Sequence, residues 1–595
     1  MKKNIIIITV LIIFVASLFR IVPAMYMQYP PSGVYENLIL ARNLALHGEY
    51  KLENDKNIIL ASSRVKEGGV QSSLGNKLTP ILYSWIFKNF NWAGTNAPIY
   101  ISIFLYALST IFLFFIVLKL FSVQGAAPDI ALRSQGGRGS VSGGNYKLAV
   151  IFSIFYIFSP VIWLGSLFIG SYEFAFFFFS LGLLIYFYSK REYEYVISAR
   201  FAIASRLVSD ESERVARRAK AGIQNVDYCV NPACSAGRPD NDKKYYYLFL
   251  IISGIFLSLA ALSRNAYLIS ILPILIYDFF KTKSLKRLLW LVFPVLLIVG
   301  GFNYFDAIKG NVNYYLSSQI GSFTTYGHLF RDPYTYQFEK DQYLEFVRNI
   351  HDPDISEFLL KYGHEITPKE RLLMYFNSAA FYPKKILLAA YFGGPLLILL
   401  IIFGAIYLYR NKRGVFNYFC LFWLVFWYLA LVILKTNNWD HFLEISFPMV
   451  LMMSLGFCWL TDKSGWSMRN KKFCYIGLFL FIFLQLVFAN VWLLREAYNS
   501  SSLVKYPTMI EGARQAGLTE NDIVAVGFHQ AVPEILNYYT DKSYIYFAPE
   551  TVEKLLKENK LKKAFEYFGV TRFIGYDDKM SDKIFEQIGI EVIKI

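Results

Sequence analysis

Of 595 residues, 55% are hydrophobic and 18% aromatic, while only 17% are charged, against about 25% charged in ordinary soluble proteins. That balance excludes a purely soluble fold and predicts a chain largely embedded in lipid. The formal net charge of +16 is spread over the short links between apolar segments rather than gathered in one patch, so it reads as membrane orientation and no nucleic-acid partner is expected.

A bilayer span needs about 20 mainly apolar residues, and in chain order the sequence supplies about eleven such segments. The first, Asn4 to Ile21, follows Lys2 and Lys3 and lacks a small-residue cleavage site, so it reads as an uncleaved anchor. Directly behind it, "PSGVYENLILARNLALHGEY", Pro31 to Tyr50, has a helical period. At about 100° per residue Glu36, Leu40, Asn43 and His47 share a sector of about 60°, with Val34, Leu38, Ala41 and Ala45 opposite. A juxtamembrane helix lying flat is expected there, its apolar face in lipid or protein and its polar stripe toward a cavity.

Further spans are expected at Ala97–Phe121, Lys147–Ile169, Phe174–Ser189, Tyr246–Leu262, Ala266–Phe280 and Arg287–Tyr304. Ile386–Tyr409, Val415–Leu434, Phe442–Leu460 and Phe473–Leu494 complete the set. Two cytoplasmic insertions interrupt the series. Residues 122–146 include the Gly/Ser-rich "SVQGAAPDIALRSQGGRGSVSGGN", a flexible linker by composition. Residues 190–245 carry the basic "SERVARRAKAG" and then "CVNPACSAGRPDND", a pattern of disorder and of attraction to anionic head groups. Cys229 and Cys234 there form a lone pair, half a metal site at most, and read as reduced cytoplasmic thiols.

The links "KTKSLKR", "RNKR" and "MRNKK" are all basic. With a cytoplasmic amino terminus and about eleven spans, each of them falls on the cytoplasmic side. The loops 22–96 and 305–385 and the tail 495–595 are then extracytoplasmic, as is the carboxyl terminus. His47, His328, His351, His364, His441 and His529 all share that outer face. None is paired at the helical spacing of metal ligands, so no metal is expected.

The tail alternates "DIVAVGF", an Ala531–Tyr539 helix, "SYIYF", a Pro549–Tyr567 helix, "TRFIGY", a Ser581–Ile588 helix and "EVIKI". It has no G-x-G-x-x-G turn, so dinucleotide binding is not expected. The expected fold class is thus an all-α polytopic membrane protein, with about 11 transmembrane helices in a domain over residues 1–494. A small extracytoplasmic α/β domain over 495–595 follows it.

Several segments in this order resemble one family. "ARNLALHGEY" is similar to its A-x-x-L-x-x-x-G-x-Y segment, and "NKLTPILYSW" to its K-P-P-L-x-Y-W segment. "LAALSRNAYLI" resembles an Arg-containing link between two middle spans, and "NNWDHFLEISFPMVLMM" a late, proline-bearing span. The family is the polytopic GT-C glycosyltransferases, which use lipid-linked sugars; within it the likeness is to protein mannosyltransferases and lipid A aminoarabinose transferases. Where the family keeps an acidic residue ahead of the flat helix, this sequence reads "SGV" with Gly33, and Glu36 is the nearest carboxylate.

The resemblance implies transfer of a sugar from a polyprenyl-phosphate donor to a glycan, lipid or protein acceptor at the outer membrane face, with membrane lipids as the surroundings and no cofactor. Such a reaction needs a carboxylate to take the acceptor hydroxyl's proton, and cations to hold the leaving phosphate. Glu36 is the candidate base, with Glu173 in "GSYEF" as runner-up. Lys77, Arg264 and, more weakly, His441 are the candidate phosphate contacts. "DPD" at Asp352–Asp354 resembles a nucleotide-sugar motif but falls in an external loop. The rival class is a non-enzymatic transporter or flippase of lipid-linked glycans. An oligosaccharyltransferase would carry a W-W-D-x-G-like motif in a larger external domain, and no tryptophan follows Trp492.

Overall fold

In lipid a backbone must satisfy its own hydrogen bonds, which a long apolar run does most simply as a helix. The computed structural model describes residues 3–26, 35–50, 59–60, 78–122, 142–167, 172–189, 239–264, 266–308, 395–410, 416–433, 439–463, 501–527, 532–547, 549–567, 569–575 and 578–593, with short pieces between 372 and 383 and between 476 and 495. Most of the insertions 122–146 and 190–245, the loop 305–385 for most of its length, and His328, His351, His364 and His529 lie outside them.

Helices at Asn4–Met25, Ala97–Phe121, Tyr172–Ser189, Tyr246–Ser263 and Leu285–Phe302 are long and apolar enough to cross a membrane. Shorter apolar helices lie at Ala266–Phe280, Leu397–Arg410, Phe419–Val432, Ser446–Thr461 and Phe479–Phe488. The outermost spans present bare apolar side chains, Ile5, Ile8, Leu11 and Ile12 on the first, and Leu289, Phe293, Leu296 and Leu297 on Leu285–Phe302. Those surfaces suit lipid and not water.

One expected span is not a single helix. Lys147–Ile169 is replaced by Ser142–Ile157 and Pro160–Leu167, bent by 54°. Pro160 has no N–H to continue the ladder and starts a new helix capped by the Ser159 carbonyl, which accepts from Ile162 and Trp163. The carbonyls freed at the break are taken by side chains. Ile157 accepts from Arg20 Nη2 at 2.9 Å and from Trp163 Nε1 at 2.7 Å, and Phe158 accepts from Asn490 Nδ2 at 2.6 Å. Elsewhere glycine permits backbone contact. A Cβ at Gly404 would lie 1.9 Å from the Met452 carbonyl oxygen, and one at Gly456 2.0 Å from that of Leu400. The Pro395–Arg410 and Ser446–Lys463 helices therefore cross at a small-residue notch.

Outside the helical bundle runs a parallel sheet in the order β1-β3-β2-β4-β5. Its strands are β1 Ile59–Leu60, β2 Ile523–Val526, β3 Ser543–Tyr546, β4 Arg572–Ile574 and β5 Glu591–Ile593. Alternation places Val524 and Val526 on one face and Ala525 on the other. The first face packs with Ser501–Gln515, Val532–Thr540 and span residues such as Ile99, Ile103 and Phe174; the second is covered by Val552, Leu555, Phe565 and Ile584. The sheet is not confined to residues 495–595, because β1 comes from the loop after the first span and pairs Ile59 with Tyr544. The single helix expected at Pro549–Tyr567 is two, Pro549–Lys557 and Leu561–Tyr567. Asn559 at φ 54° breaks them in the left-handed conformation that Asn tolerates.

Candidate functional site

The flat helix is present as Tyr35–His47. Its surroundings differ from the expectation of a polar stripe open to a cavity. Leu38, Ile39, Leu40 and Ala41 are fully buried, and so are Asn37, Arg42 and Asn43 on the more polar sides. The Leu78–Phe90 helix covers one flank and Val532–Thr540 of the tail another. Arg42 clamps this second contact: Nη2 reaches Asn43 Oδ1 at 3.0 Å, Asn537 Oδ1 at 2.9 Å and Asp541 Oδ1 at 2.9 Å, while Nη1 donates to the Asn537 carbonyl. Burial pulls the Arg42 guanidinium below its ordinary value, against the opposing pull of Asp541. His47 lies 3.8 Å from the same Asp541. His47 thus lies beside the tail, while Asn43 Oδ1 is held by Arg42 of its own helix. Of Glu36 only the backbone position near the start of this helix is described.

A second polar group forms where the ends of several spans converge near the Leu78–Phe90 helix. Glu173, in the first turn of Tyr172–Ser189, is fully buried and accepts from the Tyr83 hydroxyl at 2.5 Å. Tyr83 reaches it from the Leu78–Phe90 helix and packs edge-on against Phe174 at 5.1 Å. Neighbouring Tyr172 lies under the Arg264 guanidinium, 3.5 Å from its ring centroid. Arg264 sits at the link between Pro239–Ser263 and Ala266–Thr282, and its Nε approaches Glu444 Oε1 at 3.4 Å. The other Glu444 oxygen lies 3.5 Å from His441 Nδ1. Thr79 Oγ1 donates to the Ser263 carbonyl at 3.3 Å, tying the Leu78–Phe90 helix to the residue before Arg264.

Buried phenols connect the two carboxylates. The Tyr106 hydroxyl lies in the fields of Glu173, Glu444 and Arg20, and Tyr156 joins Arg20 to Ser446, whose Oγ is 3.2 Å away. Two guanidinium groups and two carboxylates in low dielectric interact more strongly than they would in water. Such a constellation can hold an anion at its cationic edge and take a proton at a carboxylate.

The structure therefore gathers three of the residues singled out in the sequence: Glu173, Arg264 and His441. Lys77 lies outside the described residues, immediately before the helix that carries Thr79 and Tyr83. Glu444, Tyr83, Tyr267 and Arg20 belong to the same neighbourhood and were not foreseen. For Glu444 a signal existed, a lone acid in "LEISFPMV" at the mouth of an apolar helix. Among the described residues no three His, Cys, Asp or Glu side chains converge as metal ligands.

By sequence the chain matches no protein-family model and no curated protein. By structure it is similar to the Archaeoglobus fulgidus oligosaccharyltransferase in its apo form, with TM-score 0.54 at 12% identity over 96% of this chain and 69% of that one. The archaeal oligosaccharyltransferase AglB from Archaeoglobus fulgidus, in complex with an inhibitory peptide and a dolichol-phosphate, gives TM-score 0.53 at 10% identity, over 98% of this chain and 71% of that one. ArnT from Cupriavidus metallidurans bound to undecaprenyl phosphate superposes with TM-score 0.44 at 8% identity, over 100% and 90% of the two chains. The fold is that of the GT-C glycosyltransferases, as the sequence motifs had implied.

Proposed function

We propose that the chain is a membrane glycosyltransferase that moves a sugar from a polyprenyl-phosphate donor to a cell-surface glycan, lipid or protein acceptor at the outer membrane face. One observation carries the reading: a GT-C fold over nearly the whole chain brings Glu173, Arg264, His441 and Glu444 together at the outer ends of the spans. AglB of that fold is known in complex with a dolichol-phosphate. The arrangement supports Arg264, with Lys77 and His441, as the holders of a leaving phosphate, and Glu36 or Glu173 as the base that takes the acceptor hydroxyl's proton.

The proposed topology is about eleven crossings with the amino terminus inside. The parity of the contacts supports it. Ile59 pairs with Tyr544 and Arg42 with Asp541, which puts the loop after the first span and the tail on one side of the membrane. An even number of crossings between them, added to the first span, makes the total odd. We further propose the division at residue 495, with β1 lent by the first loop to the domain beyond it.

The test is to incubate purified full-length protein in lipid with a panel of polyprenyl-phosphate sugars and follow release of polyprenyl phosphate. Turnover of at least one donor is expected. Donor carried across the bilayer without cleavage of its sugar overturns the reading in favour of a flippase.

A further inference from the structure

The edge of the cluster between Arg264 and His441 holds more unsatisfied groups than a packing accident explains. Glu444 is 0% exposed and Tyr267 1%, while Arg264 and His441 are 14% and 12% exposed at their side chains, so the group opens on the latter side only. Arg264 engages one Glu444 oxygen through a long contact, and the other, Oε2, has no hydrogen-bond partner. His441 Nδ1, 3.5 Å from it, lacks one as well, and so does the Tyr267 hydroxyl, which lies in the fields of Glu444 and Arg264. Buried polar atoms are normally satisfied, and a carboxylate oxygen left without a donor is among the most costly to bury.

The chemistry of the three narrows what completes them. A carboxylate accepts only, a phenol donates or accepts, and an imidazole nitrogen does either according to its protonation. A further anion here would stand against Glu444, and a cation would stand against Arg264. A neutral hydroxyl satisfies both constraints, since it donates to Glu444 and accepts from Tyr267 or His441. Aromatic walls stand beside it, Trp427 at 6.2 Å from the His441 ring and Tyr172 beneath Arg264, and these suit the apolar C–H face of a pyranose or furanose ring.

We propose that Glu444 and Tyr267, with His441 shared between them and the phosphate, form a hydroxyl-recognition subsite that selects the sugar attached to the donor phosphate. The assignment rests on the glycosyltransferase reading above and deepens it. Arg264 stands at the border, its Nε edge toward Glu444 and its face on the Tyr172 ring. Glu444 recognises substrate here and need not exchange a proton with it. The segment is held for that task, because Ser446 both donates through Oγ to the Leu443 carbonyl at 2.6 Å and meets Tyr156.

The test uses the full chain in lipid nanodiscs, with two ligands measured separately: polyprenyl phosphate without sugar, and polyprenyl-phosphate sugars that differ by one deoxygenated or epimerised hydroxyl. Wild type should bind the sugar-bearing donor more tightly than the bare carrier and should discriminate among the deoxy and epimeric donors. Glu444→Gln, equal in size, should lose roughly ten- to a hundredfold of the affinity contributed by one hydroxyl and most of the discrimination at that position. Tyr267→Phe should lose part of the same preference, and neither variant should bind the bare carrier more weakly than wild type. Discrimination unchanged in both variants overturns the subsite. A fall in bare-carrier affinity equal to the fall for sugar-bearing donors overturns it too, assigning Glu444 to the phosphate. Wild type that binds the bare carrier but gains nothing from any attached sugar overturns the subsite alone. Wild type that binds no polyprenyl phosphate overturns the underlying reading and the subsite with it.

Discussion

Replacing Arg42 by methionine keeps a long apolar stem in place and removes the guanidinium that joins the flat helix to the tail. Four acceptors then lose this donor inside the contact: Asn43 Oδ1, Asn537 Oδ1 and the carbonyls of Asn537 and Tyr538. Each buried acceptor without a donor costs about 1–3 kcal/mol. Asp541 is 40% exposed and rehydrates, so its lost ion pair adds less than about 1 kcal/mol. Against these stands the relief of no longer burying a cation, which returns part of the sum. The net is about 3 kcal/mol, on the order of 100-fold in the equilibrium for lifting the tail from the flat helix. Amide hydrogen exchange on the full chain in lipid reads this directly, at Val532–Thr540 and at Tyr35–His47 together. Asp541→Asn serves as the comparison and should change exchange by less than about fivefold. Arg42→Met that exchanges like wild type at both helices would refute the clamp, and acceleration at one helix only would refute the coupling between them.

Glu36→Gln and Glu173→Gln, compared for turnover and for donor affinity, should separate the two candidate bases. Loss of the true base should lower the rate by about 10²–10⁴-fold with donor binding retained, and full turnover in both variants would remove both carboxylates from the chemistry. Gly404→Ala and Gly456→Ala should each force apart the helices that meet there, since the added methyl would sit 1.9 Å or 2.0 Å from a carbonyl oxygen. A loss of about 1–3 kcal/mol is expected, and wild-type melting of both variants by size-exclusion in detergent would contradict the notch. Asp522, hydrogen-bonded by the Thr519 backbone and by the hydroxyls of Thr519 and Thr571, is held below the usual carboxylate range. Its contribution to the sheet should be complete above about pH 4, the unfolded value, and disappear as pH falls toward the folded one. Asp522→Asn should flatten that part of the stability–pH curve, and an unchanged slope would assign the dependence to other acids.

Long apolar runs such as Ala97–Phe121 and Tyr246–Ser263 were legible because lipid leaves a continuous apolar segment one inexpensive conformation. The short strands at 523–526 and 543–546 stood out for a similar local reason, as β-branched or aromatic runs bounded by polar turns. What stayed hidden was whatever depends on a distant partner. Ile59–Leu60 is unremarkable until Tyr544 and Ile545 pair with it, and Asn43 looks like a solvated position until Arg42 and the tail close over it. Pro160 was visible, but its 54° bend depends on Arg20, Trp163 and Asn490 arriving to take the released carbonyls. At the site, arginine and histidine are conspicuous in the sequence as cations at span ends, whereas Glu444 is a single acid among apolar neighbours. Its role emerges only once Arg264 and His441 are seen to flank it.

The lent strand also sets an order of events during synthesis. Ile59–Leu60 and Arg42 leave the ribosome early, yet their partners Tyr544, Asn537 and Asp541 are made only after the spans that lie between them in the chain. Contacts of such long sequence separation form slowly. Until they do, the nascent protein displays a strand edge and a charged group meant for the interior, features by which quality-control proteases can know an unfinished chain. Closure of the sheet would then work as a completion mark: a ribosome that stalls anywhere in the last spans leaves the first loop unsealed, and the defect appears at the opposite end of the molecule from its cause.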